Sequence, residues 1–134
     1  MNLTNQIVST REQFKDFITN YPDDTPVVMV NILKFKRITE GGLSGRERYK
    51  RYSINVAPLI KKAGAKILWA GNVRKTVIGD SNSEPDMILI VKYPNKQAFV
   101  NMATSPDYQL VKDDRELAIE YGGLLASESI AFGQ

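Results

Sequence analysis

The sequence predicts an α+β fold: a ferredoxin-like βαββαβ antiparallel sheet with its helices on one face, plus an extra N-terminal helix. Three observations predict it. After a first helical pattern, strand and helix patterns follow in the order β-α-β-β-α-β, the split βαβ arrangement. At 134 residues, 43% of them hydrophobic, the chain has the size and core-forming content of one domain. No apolar run approaches the roughly 18 residues of a membrane helix, so a membrane-spanning fold is not expected.

The first helix opens at Thr10, a capping residue with Gln13 three positions on. Phe14, Phe17, Ile18 and Tyr21 then fall on one helical face, and Pro22-Asp23-Asp24 ends it. Residues 1–25 thus read as a helical extension, and 26–134 as the ferredoxin-like core. Strand one is the β-rich run 26–33. Gly41, Gly42 and Gly45 mark a loop. The second helix starts near Ser44, with Tyr49, Tyr52, Val56, Leu59, Ile60 and Ala63 as its apolar stripe. Pro58 inside it predicts a kink or a restart, and Gly64 supplies a C-terminal cap.

Strand two covers 65–73, and Thr76-Val77-Ile78 offers a bent continuation. A polar turn over 79–85 leads to strand three, 87–93, which Pro94 stops. Asn95 caps a short helix carrying Ala98, Phe99 and Met102. Ser105-Pro106 begins the last helix, with proline at its first position. That helix is expected to reach Tyr121, with Gly122-Gly123 ending it and 124–132 forming the final strand.

The periodicity argues for a partner. A sheet with one wet face alternates apolar and polar residues. Here 27–30 and 87–91 are unbroken apolar runs. One helix layer covers one face. The N-terminal helix could cover part of the other, and a second copy packed sheet against sheet could cover all of it. The expectation is a homodimer through the sheet faces.

Composition excludes several chemistries. With no cysteine and no histidine, thiolate zinc sites, iron–sulfur clusters, histidine-ligated haem and Ser–His or Cys–His catalysis are unavailable. The acidic residues show no ligand spacing for Mg²⁺ or Ca²⁺. No metal and no cofactor are expected. Net charge is +3. The basic residues Lys34, Lys36, Arg37, Arg46, Arg48, Lys50 and Arg51 are interleaved with Glu40 and Glu47 and carry no aromatic-stacking motif. They read as a solvated face rather than a nucleic-acid surface. The opening residues lack a signal peptide's apolar stretch, so a cytoplasmic location is expected, with neither nucleic acid nor membrane as partner.

Several segments resemble a known family. Val30-Asn31-Ile32-Leu33-Lys34-Phe35-Lys36 is similar to its opening strand. The pair Tyr49-x-x-Tyr52, followed by Ala57-Pro58-Leu59-Ile60, resembles its first core helix. Tyr93-Pro94-Asn95-Lys96-Gln97-Ala98-Phe99 and Ser105-Pro106-Asp107-Tyr108-Gln109 resemble two later segments, and Arg115 matches an arginine of the last helix. The series, over about residues 26–128, resembles the domain-of-unknown-function family numbered 1330, in the dimeric α/β-barrel superfamily. The resemblance implies a sheet-to-sheet dimer. The superfamily includes cofactor-free monooxygenases, muconolactone isomerases, haem-degrading enzymes and haem peroxidases. Longer members place Trp before the strand-three acid and His before the last-helix arginine, where this chain has Pro85 and Asp114.

Candidate site residues follow from placement. Asn31 interrupts an apolar strand: it is either a backbone-satisfied buried amide or a donor into a pocket. Arg115 falls on the inward arc of its helix with Tyr108, Val111, Ala118 and Ile119. It is either a structural ion pair with Asp86 or Glu84, or an anchor for a carboxylate or enolate oxygen. Tyr49 and Tyr52 pack in the core or donate a phenol to an oxyanion. Trp69 lines a pocket or fills the sheet face. Asp114 joins a hydrogen-bond network or acts as a weak base. Two functions remain open: a cofactor-independent oxygenase- or isomerase-type enzyme acting on a small enolisable or aromatic molecule, and a non-catalytic small-ligand-binding or stress-type dimeric module. A small anionic or aromatic ligand fits both.

Overall fold

The computed structural model describes residues 6–133; residues 1–5 and 134, which belong to the expected extension and core, lie outside them. The elements are α1 (Arg11–Asn20), β1 (Val27–Phe35), α2 (Gly45–Lys62), β2 (Lys66–Asn72), β3 (Met87–Tyr93), α3 (Lys96–Ala103), α4 (Pro106–Ala118) and β4 (Ile119–Ser127). The strands form one antiparallel sheet in the order β2-β3-β1-β4, the ferredoxin-like arrangement.

Local chemistry sets the helix starts. Thr10 and Ser44 each complete a capping box, with Gln13 and Glu47 respectively. The side chains of Asn95 and Ser105 accept from Ala98 N–H and Tyr108 N–H, and Pro106 takes the first turn of α4. α2 runs through Pro58 as one helix, so the expected restart does not occur.

Alternation sorts β1 into two faces. Val27, Met29, Leu33 and Phe35 are buried under the helices, with Tyr49, Tyr52, Val56 and Ile60 of α2, Val91 and Tyr93 of β3, and Ala118 and Ile119. Val28, Val30 and Ile32 point the other way and pair in register with Lys92, Ile90 and Ile88. α1 does not reach that second face. Phe17 stacks edge-on against Phe99 at 5.8 Å, and Phe99 against Tyr93 at 5.2 Å, so α1 joins the helix layer. The lysine of α3 secures it: Lys96 Nζ donates to Tyr21 O at 2.6 Å and pairs with Asp23 at 3.1 Å.

Two expected boundaries differ. The last helix ends at Ala118, and the final strand covers Ile119–Ser127 rather than 124–132. Gly122 and Gly123 lie inside the strand because β4 presses on β1: a Cβ on Gly122 would meet Ile32 O. The segment after β2 leaves the sheet at Asn72, and Val77 and Ile78 are exposed in a loop.

Gly45 locks the start of α2 against the ends of β1 and α4. Its N–H donates to Lys36 O at 2.9 Å, while Lys36 N–H donates to Ala118 O at 2.9 Å. A Cβ there would strike backbone atoms of both Ala118 and Lys36. Gly45→Ala should therefore destabilise the fold by about 1–3 kcal/mol through backbone displacement, measured by urea unfolding. An unchanged midpoint would contradict this packing.

Candidate functional site

A partly open cleft of about 950 Å³ lies between the sheet and the helix layer. Met29, Asn31 and Leu124 form its floor, α4 contributes Tyr108 and Arg115, and Phe17, Tyr21 and the residues before α1 form the opposite wall. Phe99 and Met102 extend its apolar lining.

Arg115 lines the cleft as its helical position predicts. Among the described residues it has no carboxylate within salt-bridge distance. Its Nη1 donates instead to Ile7 O at 3.2 Å. The ion pair with Asp86 or Glu84 is not formed, because both acids are committed elsewhere. Asp86 accepts Phe35 N–H at 2.8 Å and pairs with Lys34 at 3.4 Å, and Glu84 accepts the Thr76 hydroxyl at 2.6 Å.

Two phenols meet beside the cleft floor. Tyr52 Oη and Tyr108 Oη are 3.0 Å apart and hydrogen-bonded. Burial pushes the Tyr52 phenol well above its ordinary range, with further upward contributions from Tyr108 and Tyr49 that outweigh the Arg115 charge. Tyr93, also in the lining, is raised by burial too. The Tyr52 and Tyr93 hydroxyls therefore stay protonated and can donate. Asn31 spends one amide N–H on Leu89 O at 3.1 Å, which satisfies the backbone-bonded reading while its side chain still lines the cleft.

The remaining candidates lie elsewhere. Tyr49 is core: it packs between Phe35 and Tyr52, each at 5.3 Å, and burial pushes its phenol up to about 12. Trp69 is 53% exposed and lies on the uncovered face, opposite Ile90 and against Gly71. Asp86 ties the start of β3 to β1, outside the lining. Asp114 turns away from the cleft toward α2. It takes both Nε and Nη2 of Arg51 at 2.8 Å and Nη1 of Arg48 at 2.9 Å. Buried Arg48 also holds Thr39 Oγ1 at 2.5 Å and the Glu40 carbonyl. The basic cluster is thus partly internal wiring.

Sequence reasoning missed Ile7, Tyr93, Lys112 and Glu116 in the lining. Tyr93 was recoverable, since it shares the inward alternation of Val91. Ile7 precedes any helical pattern and gave no signal. Among the described residues no cluster of three or more acidic side chains could hold a metal.

The family model described as "Domain of unknown function (DUF1330)" matches residues 38–127. The chain belongs to this family. β1, which supplies Asn31, lies outside the matched segment. No curated protein matches the chain. The crystal structure of a Rhodopseudomonas palustris protein of unknown function is 27% identical over 96% of this chain and 99% of its own, with a TM-score of 0.89. A dimeric protein of unknown function and ferredoxin-like fold from Bacteroides fragilis is 12% identical over 81% and 100%, with a TM-score of 0.54. An uncharacterised NIPSNAP domain protein from Burkholderia xenovorans is 16% identical over 82% and 99%, with a TM-score of 0.51. The last two share the fold.

Asp114 gives a pH-dependent prediction. The Arg51 hydrogen bonds, and then the one from Arg48, hold its carboxyl below the ordinary 3.8 despite partial burial. A lowered folded-state value stabilises above the unfolded value and is lost as pH falls through the folded one. Asp114→Asn should cost about 1.5–3 kcal/mol at neutral pH, the scale of charged hydrogen bonds. Its difference from wild type should shrink below about pH 4. Urea unfolding of both proteins at several pH values measures it, and a pH-independent difference would refute the ion-pair account.

Proposed function

We propose that the cleft binds a small, enolisable or partly aromatic molecule through its oxygen, with Arg115 and the Tyr52–Tyr108 hydroxyl pair holding that oxygen as it gains negative charge. The observation that carries this reading is a guanidinium inside an apolar-walled cleft with a backbone carbonyl as its partner and, among the described residues, no carboxylate. Such donors, fixed in advance, stabilise an oxyanion more than water does. The chemistry uses the chain's own groups and needs neither metal nor organic cofactor.

A non-catalytic binding role is the second reading, and one observation favours it. Proton abstraction needs an acceptor. Glu116, the acid nearest this role in the lining, pairs with Lys112 at 3.1 Å. The Tyr52 and Tyr93 phenols, held protonated by burial, are donors rather than bases.

Benzoylacetone, aromatic and enolisable, separates the two. Binding should raise the unfolding temperature of wild type, and Arg115→Gln should weaken affinity about tenfold without a large loss of fold stability. Because burial raises the Tyr52 phenol, affinity should not fall from pH 6 to 9 through ionisation of Tyr52. Faster exchange of the ligand's α-protons than in buffer indicates catalysis, and binding without it indicates a binding module. Absence of binding would reject the cleft as a small-molecule site.

The working unit we propose is a homodimer through the uncovered sheet face. Its support is the apolar set Val28, Val30, Ile32, Ile88 and Ile90, half-buried on the face away from the core, with exposed Trp69 beside them. A stable interface of this kind buries at least about 1,200 Å² in total. Ile90→Glu, which places a charge at its centre, should turn a dimer into a monomer in light scattering while leaving benzoylacetone binding intact. A monomeric wild type at micromolar concentration would overturn it.

A further inference from the structure

If the cleft is a small-molecule site, as proposed above, its donors and charges also discriminate among ligands. Two cations line it, Lys112 and Arg115. Lys112 is matched at the mouth, 3.1 Å from Glu116 and 3.6 Å from Asp113. Asp16, at the exposed rim, accepts from Asn20 Nδ2 at 2.6 Å. Among the described residues of the lining, Arg115 alone contributes a cation without an acid partner.

A guanidinium has five N–H donors in a planar fork that matches a carboxylate bidentately. Arg115 uses Nη1 on Ile7 O, and no other acceptor among the described residues holds it. The Tyr52–Tyr108 pair adds a further donor: one hydroxyl proton lies between the two oxygens, and the other is free for a third oxygen. One unmatched positive charge balances a monoanion. A dianion would leave one charge uncompensated in a half-buried site. The surrounding walls, Phe17, Met29, Phe99 and Met102, are apolar and fit an aromatic or branched body.

We propose that the cleft takes a monocarboxylate with an aromatic or branched apolar body, its carboxylate replacing the Ile7 carbonyl as the partner of Arg115. A charged acceptor outcompetes a neutral one for the same N–H, being roughly twice as strong. The segment before α1 is then a gate. Gln6, Ile7, Val8 and Ser9 line the cleft, Ile7 packs against the core cluster, and Gln6 Nε2 donates to Gln13 Oε1 at 2.5 Å. Ligand entry releases Ile7 from Arg115 while the capping box at Thr10 holds α1 in place.

The test is an NMR titration of the full chain with three probes: phenylacetate, phenylacetamide and phenyl phosphate. Phenylacetate should saturate, shifting the signals of Arg115, Tyr52 and Tyr108 together with the backbone amides of Ile7 and Val8. Phenylacetamide, the neutral counterpart, should bind at least about tenfold more weakly, the usual scale of a lost charged hydrogen bond. Phenyl phosphate should bind no more tightly than phenylacetate. Arg115→Gln should lose the preference for acid over amide, and Arg115→Lys should keep part of it. Equal binding of acid and amide overturns the carboxylate class but leaves the cleft as a small-molecule site. Tighter binding of phosphate overturns the monoanion. Saturation without movement at Ile7 and Val8 overturns the exchange. If neither acid nor amide shifts Tyr52 or Tyr108, both this inference and the cleft reading fail.

Discussion

The seam between α2 and α4 depends on one carboxylate. Asp114 receives three charged hydrogen bonds from two arginines one turn apart on α2, and Arg48 carries the connection on to Thr39 and Glu40. That contact fixes the rotation of α4 about its axis. Successive helical residues differ by about 100°, so turning Asp114 toward α2 turns Arg115 toward the sheet. Tyr108, seven residues earlier, shares the face of Arg115 and meets Tyr52. The clamp sits outside the cleft and touches no ligand position, yet it aims the two groups that give the cleft its chemistry.

What those groups offer is donation. Burial disfavours phenolate at Tyr49, Tyr52 and Tyr93, and at Tyr49 and Tyr52 it outweighs the neighbouring guanidinium. The cleft therefore contains protonated hydroxyls, one cation without an acid partner among the described residues, and a backbone-anchored amide, Asn31. In the proposed reading, such donors lower the energy of a negative oxygen. Any reaction there suits molecules that ionise readily themselves, with the protein shifting that equilibrium.

The sequence made the sheet legible because its signals were local. Capping residues at Thr10, Ser44, Asn95 and Ser105 marked the helix starts, and the inward arc of α4 placed Arg115. The errors came where tertiary contacts override local meaning. Gly122-Gly123 is a common helix-ending pair, yet here the missing side chains permit a close strand approach to Ile32. Asp114 and Arg115 are adjacent and both polar, so periodicity near the apolar arc could not separate them. Only the positions of Arg48 and Arg51 across the seam do that. Trp69 fell on the open face because the β2–β3 pairing shifts between Ile67 and Trp69, moving the ring out of simple alternation. The Ile7 contact comes from a backbone carbonyl 108 residues away in sequence from its partner, which no side-chain pattern encodes.

β1 carries both proposed activities on alternate residues. Met29 and Asn31 face the cleft, and Val28, Val30 and Ile32 face away. A slip of one residue in strand pairing would exchange these sets, exposing the core and burying the outer face under the helices. Two features oppose such a slip. Asp86 holds the end of the strand through Phe35 N–H and Lys34. On the other edge, the β4 pairing shifts between Lys34 and Phe35, and Gly122 occupies the position where any larger residue would collide with Ile32 O. A slip that brought Tyr121 to that contact would drive its Cβ into Ile32 O. The glycine that ends no helix thus helps keep Asn31 in the cleft and the apolar row available to a second copy.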